Sequence, residues 1–210
     1  MTIRALGESE RVATAASPFF ERFAGVCAIL AGVGSVLYSL SFLVVQSAAL
    51  SALFLLLGGL LALPVLSAVY QYVAQTQAAF ARWAFLLSVT GALGGLIHGG
   101  YDLANALHPP ASIAAQAGLP DAVDPRGLLV FGIAGLGLFL IAWLIGQHRR
   151  FPRSLSYPGY ITALLLIGLY LGRLLILDPA SPLIALPALL SGFVLNPLWY
   201  IWLGIVLVRG

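Results

Sequence analysis

Along this chain apolar residues do not alternate with polar ones. They run on for about twenty positions at a time. Six such runs cover residues 23–45, 51–74, 83–107, 127–146, 157–177 and 187–208. At about 1.5 Å of rise per residue, a helix of that length crosses a hydrocarbon core of about 30 Å. Lipid offers the backbone no hydrogen bonds, so each run has to be helical to satisfy its own N–H and C=O groups. The pattern predicts an all-α, polytopic integral membrane six-helix bundle over 23–208, with a polar leader at 1–22.

Within the runs, small residues fall at helical spacing. Gly25, Ala28, Gly32, Ser35 and Ser39 share a face of the first run; Gly91, Gly95 and Gly99 recur on the third, Gly168 and Gly172 on the fifth. Such stripes let helices approach closely where lipid provides no hydrophobic drive for association. Gly25, Leu30 and Gly34 match Gly159, Leu164 and Gly168 in spacing, which suggests a worn repeat of two hairpins. Ser17-Pro18 has the form of an N-cap followed by proline at the first helical position. The connection 46–50 is short enough for a tight hairpin. The connection 71–82, with Gln71, Gln75 and Gln77, is expected to continue as helix. The longest connection, 108–125, carries four prolines, with a short surface helix expected at 111–117. The first run exceeds the roughly 7–15 residues of a signal-peptide core, although Ser47-Ala48-Ala49 resembles a cleavage site.

Composition agrees with the pattern: 61% of residues are hydrophobic and 8% charged, against about 25% charged in soluble domains. The ten basic residues are all arginine, which excludes a lysine Schiff base. Arg4, Arg11, Arg22, Arg82, Arg149, Arg150, Arg153 and Arg209 fall in the leader, tail and alternate connections; Arg126 alone stands on the other side. By the positive-inside rule both termini are expected in the cytoplasm of a bacterial cytoplasmic membrane. The run His148-Arg149-Arg150 with Arg153 reads as an orientation signal beside anionic lipid. The one cysteine, Cys27, excludes an intrachain disulfide.

Candidate chemistry is confined to a few polar residues inside the runs. His98, Tyr101, Asp102 and Asn105 are spaced i, i+3, i+4 and i+7, so they lie on one helical face. An apolar helix carries such residues only where they meet partners, water or the interface. Counted from Arg82, His98 stands about 24 Å up its helix, and counted from Tyr157, Arg173 stands about 24 Å up its own. An Asp102–Arg173 pair would remove two costly unpaired charges; separate snorkelling to the surface is the alternative. Asn196-Pro197 is expected to kink the sixth helix and send Asn196 across the bundle. With Tyr38, Tyr170, Trp199, Tyr200 and Trp202 these residues are expected to line an outward-opening pocket under the proline-rich connection, or else to serve packing and anchoring. His98 is the lone histidine within a run, so no haem or metal site is expected, and no cofactor. No nucleophile motif is present.

The segment Arg150-Phe151-Pro152-Arg153-Ser154-Leu155 with Gly159 and Leu164, the start Arg22-Phe23-Ala24-Gly25 and the ending Trp202-Leu203-Gly204-Ile205-Val206-Leu207 resemble a bacterial family of six-helix membrane proteins, domain of unknown function 4386. The resemblance runs from about Glu21 to Arg209. It implies a topology and no activity. It also implies an acidic residue where Asn196 stands, a departure that puts a charge-dependent role there in doubt.

The sequence thus favours a small binding or accessory protein with an outward-facing intramembrane pocket lined by His98, Tyr101, Asp102, Asn105, Tyr170, Arg173 and Asn196. Its partners would be the lipid bilayer and a lipid-like ligand or other membrane subunits, with no nucleic acid. The alternatives are a small-solute transporter using Asp102 and Arg173, and, least favoured, an intramembrane enzyme with a His98/Asp102 acid–base pair.

Overall fold

The computed structural model describes residues 17–109, 125–176 and 181–209. The expected surface helix at 111–117, most of the proline-rich connection and the leader up to residue 16 lie outside the described residues. Among those described, six helices are long and apolar enough to cross a membrane, and no strand is present. The protein is a polytopic membrane protein.

Helix α1 is Pro18–Leu43, with Ser17 as its N-cap accepting from the Phe20 N–H. Helix α2 is Ala48–Val73 and α3 is Ala78–Leu107. Between α1 and α2, Gln46 takes a left-handed conformation (φ 54°), and Ser47 caps α2. The link 74–77 is not continuous helix, contrary to expectation. Helix α2 stops there in a turn, and Gln77 N-caps α3. Helix α4 starts at Pro125–Gly127, widens to a π-helix over Leu128–Ile133 and continues as Ala134–Gln147. After a 3-10 turn at Arg153–Leu155 comes α5, Ser156–Leu175. Helix α6 is Pro182–Leu190, a π-helix at Ser191–Leu195, then Asn196–Val208. It begins five residues before the expected position 187, because Ser181-Pro182 supplies a second helix start with proline at its first position.

Each helix packs on its neighbours in chain order, and α6 returns to α1, closing a ring. Glycines set the closest approaches. A Cβ on Gly25 would sit 2.8 Å from the Gly204 carbonyl oxygen, and one on Gly204 would sit 2.5 Å from the Gly25 carbonyl oxygen. Helices α1 and α6 therefore touch backbone to backbone. Gly59 and Gly99 do the same for α2 and α3, and Gly91 sets α3 against Ala134 of α4. The fifth-run stripe behaves differently: a Cβ on Gly168 meets nothing within 4 Å, and one on Gly172 only Ile184 at 3.8 Å. Gly34, the repeat partner of Gly168, is equally open.

The interior is filled unevenly. One cluster holds Cys27 and Ala28 of α1, Val65, Val69 and Val73 of α2, Ala84 of α3, Ile141, Leu144 and Ile145 of α4, and Trp199, Leu203 and Leu207 of α6. All lie toward the end of the bundle bearing Arg22, Arg82, Arg149, Arg150, Arg153 and Arg209, called here the arginine-rich end. Trp199 is fully buried in this cluster, and Tyr200 and Trp202 pack against it. They fill the core and do not line a pocket, as the sequence reading had allowed. Toward the far end the buried side chains are mostly small or hydroxylated: Ser39, Ser41, Ser51, Ala52 and Ser191.

Beneath the arginine-rich surface a polar network joins the helix ends. The Tyr72 hydroxyl donates to Glu21 Oε1. Arg150 Nη2 lies 3.8 Å from Glu21 Oε2 and donates to the Val206 carbonyl oxygen at 3.4 Å. Its guanidinium carbon sits 5.5 Å from the centre of the Tyr72 ring. The Arg150 backbone N–H donates to His148 Nδ1 at 3.1 Å, and Gln77 Nε2 donates to Gln147 Oε1 at 2.9 Å. Arg150 therefore points into the bundle end and is more than a charge facing lipid headgroups.

Overpacking costs about 1–3 kcal/mol where neighbours cannot move, so Gly25→Ala and Gly204→Ala should each lower thermal stability in detergent by that amount. Gly34→Ala, with open space around it, should be neutral or slightly stabilising. A second expectation concerns pH. Burial, aided by the Arg150 guanidinium, holds the His148 imidazole below its ordinary value of 6.5. The unfolded chain therefore binds the proton more readily. The contribution of His148 is complete above about pH 6.5 and is lost as pH falls through the lower folded value. Unfolding followed between pH 7.5 and 5 should show that loss, and His148→Gln should flatten it.

Candidate functional site

The turn His98–Asp102 of α3 carries the polar cluster. Its neighbour is α4, drawn in by small residues: a Cβ on Gly94 would collide with Leu129, as one on Gly91 would with Ala134. This approach brings the first turn of α4 beside Asp102. Arg126 Nη1 donates to Asp102 Oδ1 at 2.8 Å, and His98 Nε2 lies 3.1 Å from Asp102 Oδ2. One carboxylate is thus shared by a guanidinium and an imidazole. The Arg126 guanidinium carbon also lies 4.5 Å above the Tyr101 ring.

The expected Asp102–Arg173 pair is therefore corrected: Asp102 gives both its oxygens to Arg126 and His98. Arg126 stood in the sequence as the one arginine on its side of the bundle. That isolation, two residues before an apolar run, was the available signal that it had a partner.

Arg173 nevertheless belongs to the same region. The Tyr38 hydroxyl, on α1, is within electrostatic reach of both Asp102 and Arg173. Residues from α1, α3 and α5, alternate members of the ring, thus approach one another at one level. Tyr170, one turn before Arg173, packs on Gly132 in the π-helical turn of α4: a Cβ there would sit 3.0 Å from the Tyr170 ring. Asn196 reaches across from α6 to α1, donating through Nδ2 to Ser35 Oγ at 3.2 Å. Ser35 in turn donates to the Gly192 carbonyl at 3.1 Å. A π-turn leaves carbonyls poorly paired along its own helix, and the Ser35 hydroxyl satisfies one of them.

The predicted stripe does not act as one face. His98 and Asp102 are partly buried, their side chains 18% and 38% exposed. Tyr101 is an exposed residue on the flank, covered by Arg126, and Asn105 is half-buried one turn further out. His98 Nδ1 is buried and has no hydrogen-bond partner among the described residues. The His98–Asp102 pair has two of the side chains a metal would need; among the described residues no group of three such side chains gathers. The residues that sequence reasoning missed are Arg126 and Ser35, together with the two π-helical turns. The signal for the second π-turn was Pro197, whose missing N–H interrupts the helical ladder just beyond Ser191–Leu195.

No family model matches the chain, and no curated protein and no solved structure matches it either.

The shared carboxylate makes a specific expectation. In a double-mutant cycle Asp102→Asn and Arg126→Gln should couple by about 0.5–1 kcal/mol, a modest value because the pair is partly exposed. Asp102→Asn and Arg173→Gln should be close to additive. Thermal unfolding of the four proteins of each cycle reads this directly, and a stronger coupling to Arg173 than to Arg126 would refute the assignment.

Proposed function

We propose that this protein binds an amphiphilic, lipid-like ligand in a chamber opening at the far end of the bundle, with its polar group against His98, Asp102 and Arg126. The observation that carries this reading is the asymmetry of the interior. Large apolar side chains fill the arginine-rich half, whereas polar side chains from alternate helices converge in the other. A concave apolar site with a few convergent polar groups is the usual form of a small-molecule site. Tyr170, Arg173 and Asn196 would line the deeper wall, with Tyr101 and Asn105 at the rim. The arginine distribution supports a cytoplasmic arginine-rich end in a bacterial cytoplasmic membrane, so the chamber would face the outer leaflet. A kinship with domain of unknown function 4386 would rest on the motifs around Arg22, Arg150–Leu155 and Trp202–Leu207 alone and would add no activity.

A small-solute transporter is the second reading. It is favoured by one observation: the charged residues Asp102, Arg126 and Arg173 stand on the far-end parts of α3, α4 and α5, where a charged solute would find partners. An accessory role toward a larger membrane complex would instead use the same far end of the bundle for a partner helix.

Gentle purification followed by mass spectrometry of the intact protein tests the proposal. An amphiphile should remain bound to the unsubstituted protein. Asp102→Asn and Arg126→Gln should each lower its occupancy about tenfold, equivalent to about 1.4 kcal/mol. A protein free of small molecules but held in a stoichiometric complex with another membrane subunit would favour the accessory role and reject the ligand site.

A further inference from the structure

The network at the arginine-rich end has a form that stability alone does not require. The apolar cluster directly beneath it already holds the helix ends together, from Val69 and Val73 of α2 to Leu203 and Leu207 of α6. Removing Glu21 and Arg150 from water is costly; their side chains are only 15% and 22% exposed. Apolar residues in their place would close this end equally well. What the polar version adds is direction and reversibility. Few contacts hold it: the Tyr72 hydroxyl on Glu21, Arg150 at 3.8 Å from Glu21, and Arg150 on the Val206 carbonyl at 3.4 Å. The ring of Tyr72 sits edge-on to those of His148 and Phe151, with centres 5.8 and 5.7 Å away.

The network joins two kinds of element. Glu21 and Tyr72 belong to α1 and α2, neither of which has a π-turn, although Pro64 lies inside α2. Arg150 lies in the link after α4, and Val206 lies on α6. Helices α4 and α6 are the two with π-helical turns, at Leu128–Ile133 and Ser191–Leu195, each between the far end and the packed half. A π-turn carries one extra residue per turn and is a common site of functional adjustment in helices. The network therefore ties the two helices that carry π-turns to two that do not, across the arginine-rich end of the ring.

We propose that Glu21, Tyr72 and Arg150 form a gate that seals the arginine-rich end while the chamber is open at the far end. Release of Arg150 and Val206 lets the inner parts of α4 and α6 move about their π-turns, opening this end as the far end closes. The inference rests on the outward-opening chamber argued above. It adds the second state that a transport cycle needs.

Cysteine reactivity in purified, detergent-solubilised protein tests the gate. Cys27 is the only cysteine, so Cys27→Ser gives a clean background. Val69→Cys reports on the packed half beneath the gate, and Asn105→Cys on the far-end mouth. Tyr72→Phe, which removes one hydroxyl, and Glu21→Gln should each raise the rate at which a water-soluble maleimide labels Val69→Cys about tenfold, a shift in favour of the open state. The same changes should lower the labelling of Asn105→Cys. Labelling that rises together at both positions would mean loosened packing and would overturn the gate. So would rates that change at neither. If Asn105→Cys stays unlabelled while the gate residues are intact, the outward-opening chamber itself is rejected, and the gate with it. If Asn105→Cys is labelled but ignores Tyr72→Phe and Glu21→Gln, the gate alone is rejected.

Discussion

Hydrocarbon cannot hydrogen-bond a peptide group, and the rest of the structure follows from that constraint. Every crossing segment must be a helix, and helices in lipid gain nothing from apolar burial against one another. Close contact is what remains. The ring is held at the points where glycine lets backbones meet: Gly25 on Gly204, Gly59 beside α3, Gly99 beside α2, Gly91 and Gly94 against α4. The same constraint governs the exceptions. Where α6 widens into a π-turn at Ser191–Leu195, a carbonyl loses its partner, and Ser35 from α1 restores it at Gly192. Asn196 then bonds the other side of that hydroxyl. A local defect is thereby turned into a link between two helices.

The division of the interior has a similar origin. Large side chains from α2, α4 and α6 meet near the arginine-rich end, against Ala24, Cys27 and Ala28 of α1 and Ala81 and Ala84 of α3. Toward the far end the buried residues are mostly small, with Leu169 and Ile184 among them. The polar groups at that level pair between neighbouring helices, His98 and Asp102 of α3 with Arg126 of α4, and Asn196 of α6 with Ser35 of α1. The π-turn of α4 lies beside this region, against Gly94 and Tyr170. Packing, charge and helix irregularity therefore coincide at one depth.

Much of this was legible in the sequence. Six helices, the Ser17-Pro18 start, the tight first hairpin and the glycine contacts of α1 and α3 follow from rules that act over a few residues. The departures have physical causes beyond that range. The link 74–77 looked helical by composition, but antiparallel packing of α2 and α3 requires the chain to reverse there. Gly168 and Gly172 have the spacing of a contact stripe without the contact, since spacing records a face and says nothing of what faces it. Arg150 belonged to a run that reads as a topology signal. Its inward turn depends on Glu21 and Tyr72, 129 and 78 positions away along the chain.

The pairing of Asp102 shows how far one coordinate carries an argument. Depth along a helix can be counted, and it puts Asp102 level with Arg173. Two further coordinates, the order of helices around the ring and the rotation of each, cannot be counted in that way. In a ring with neighbours 8–10 Å apart, second neighbours stand roughly 16 Å apart. Helices α3 and α5 are second neighbours, whereas α3 and α4 touch. A carboxylate that must be satisfied takes its partner from the touching helix, and Arg126 is there.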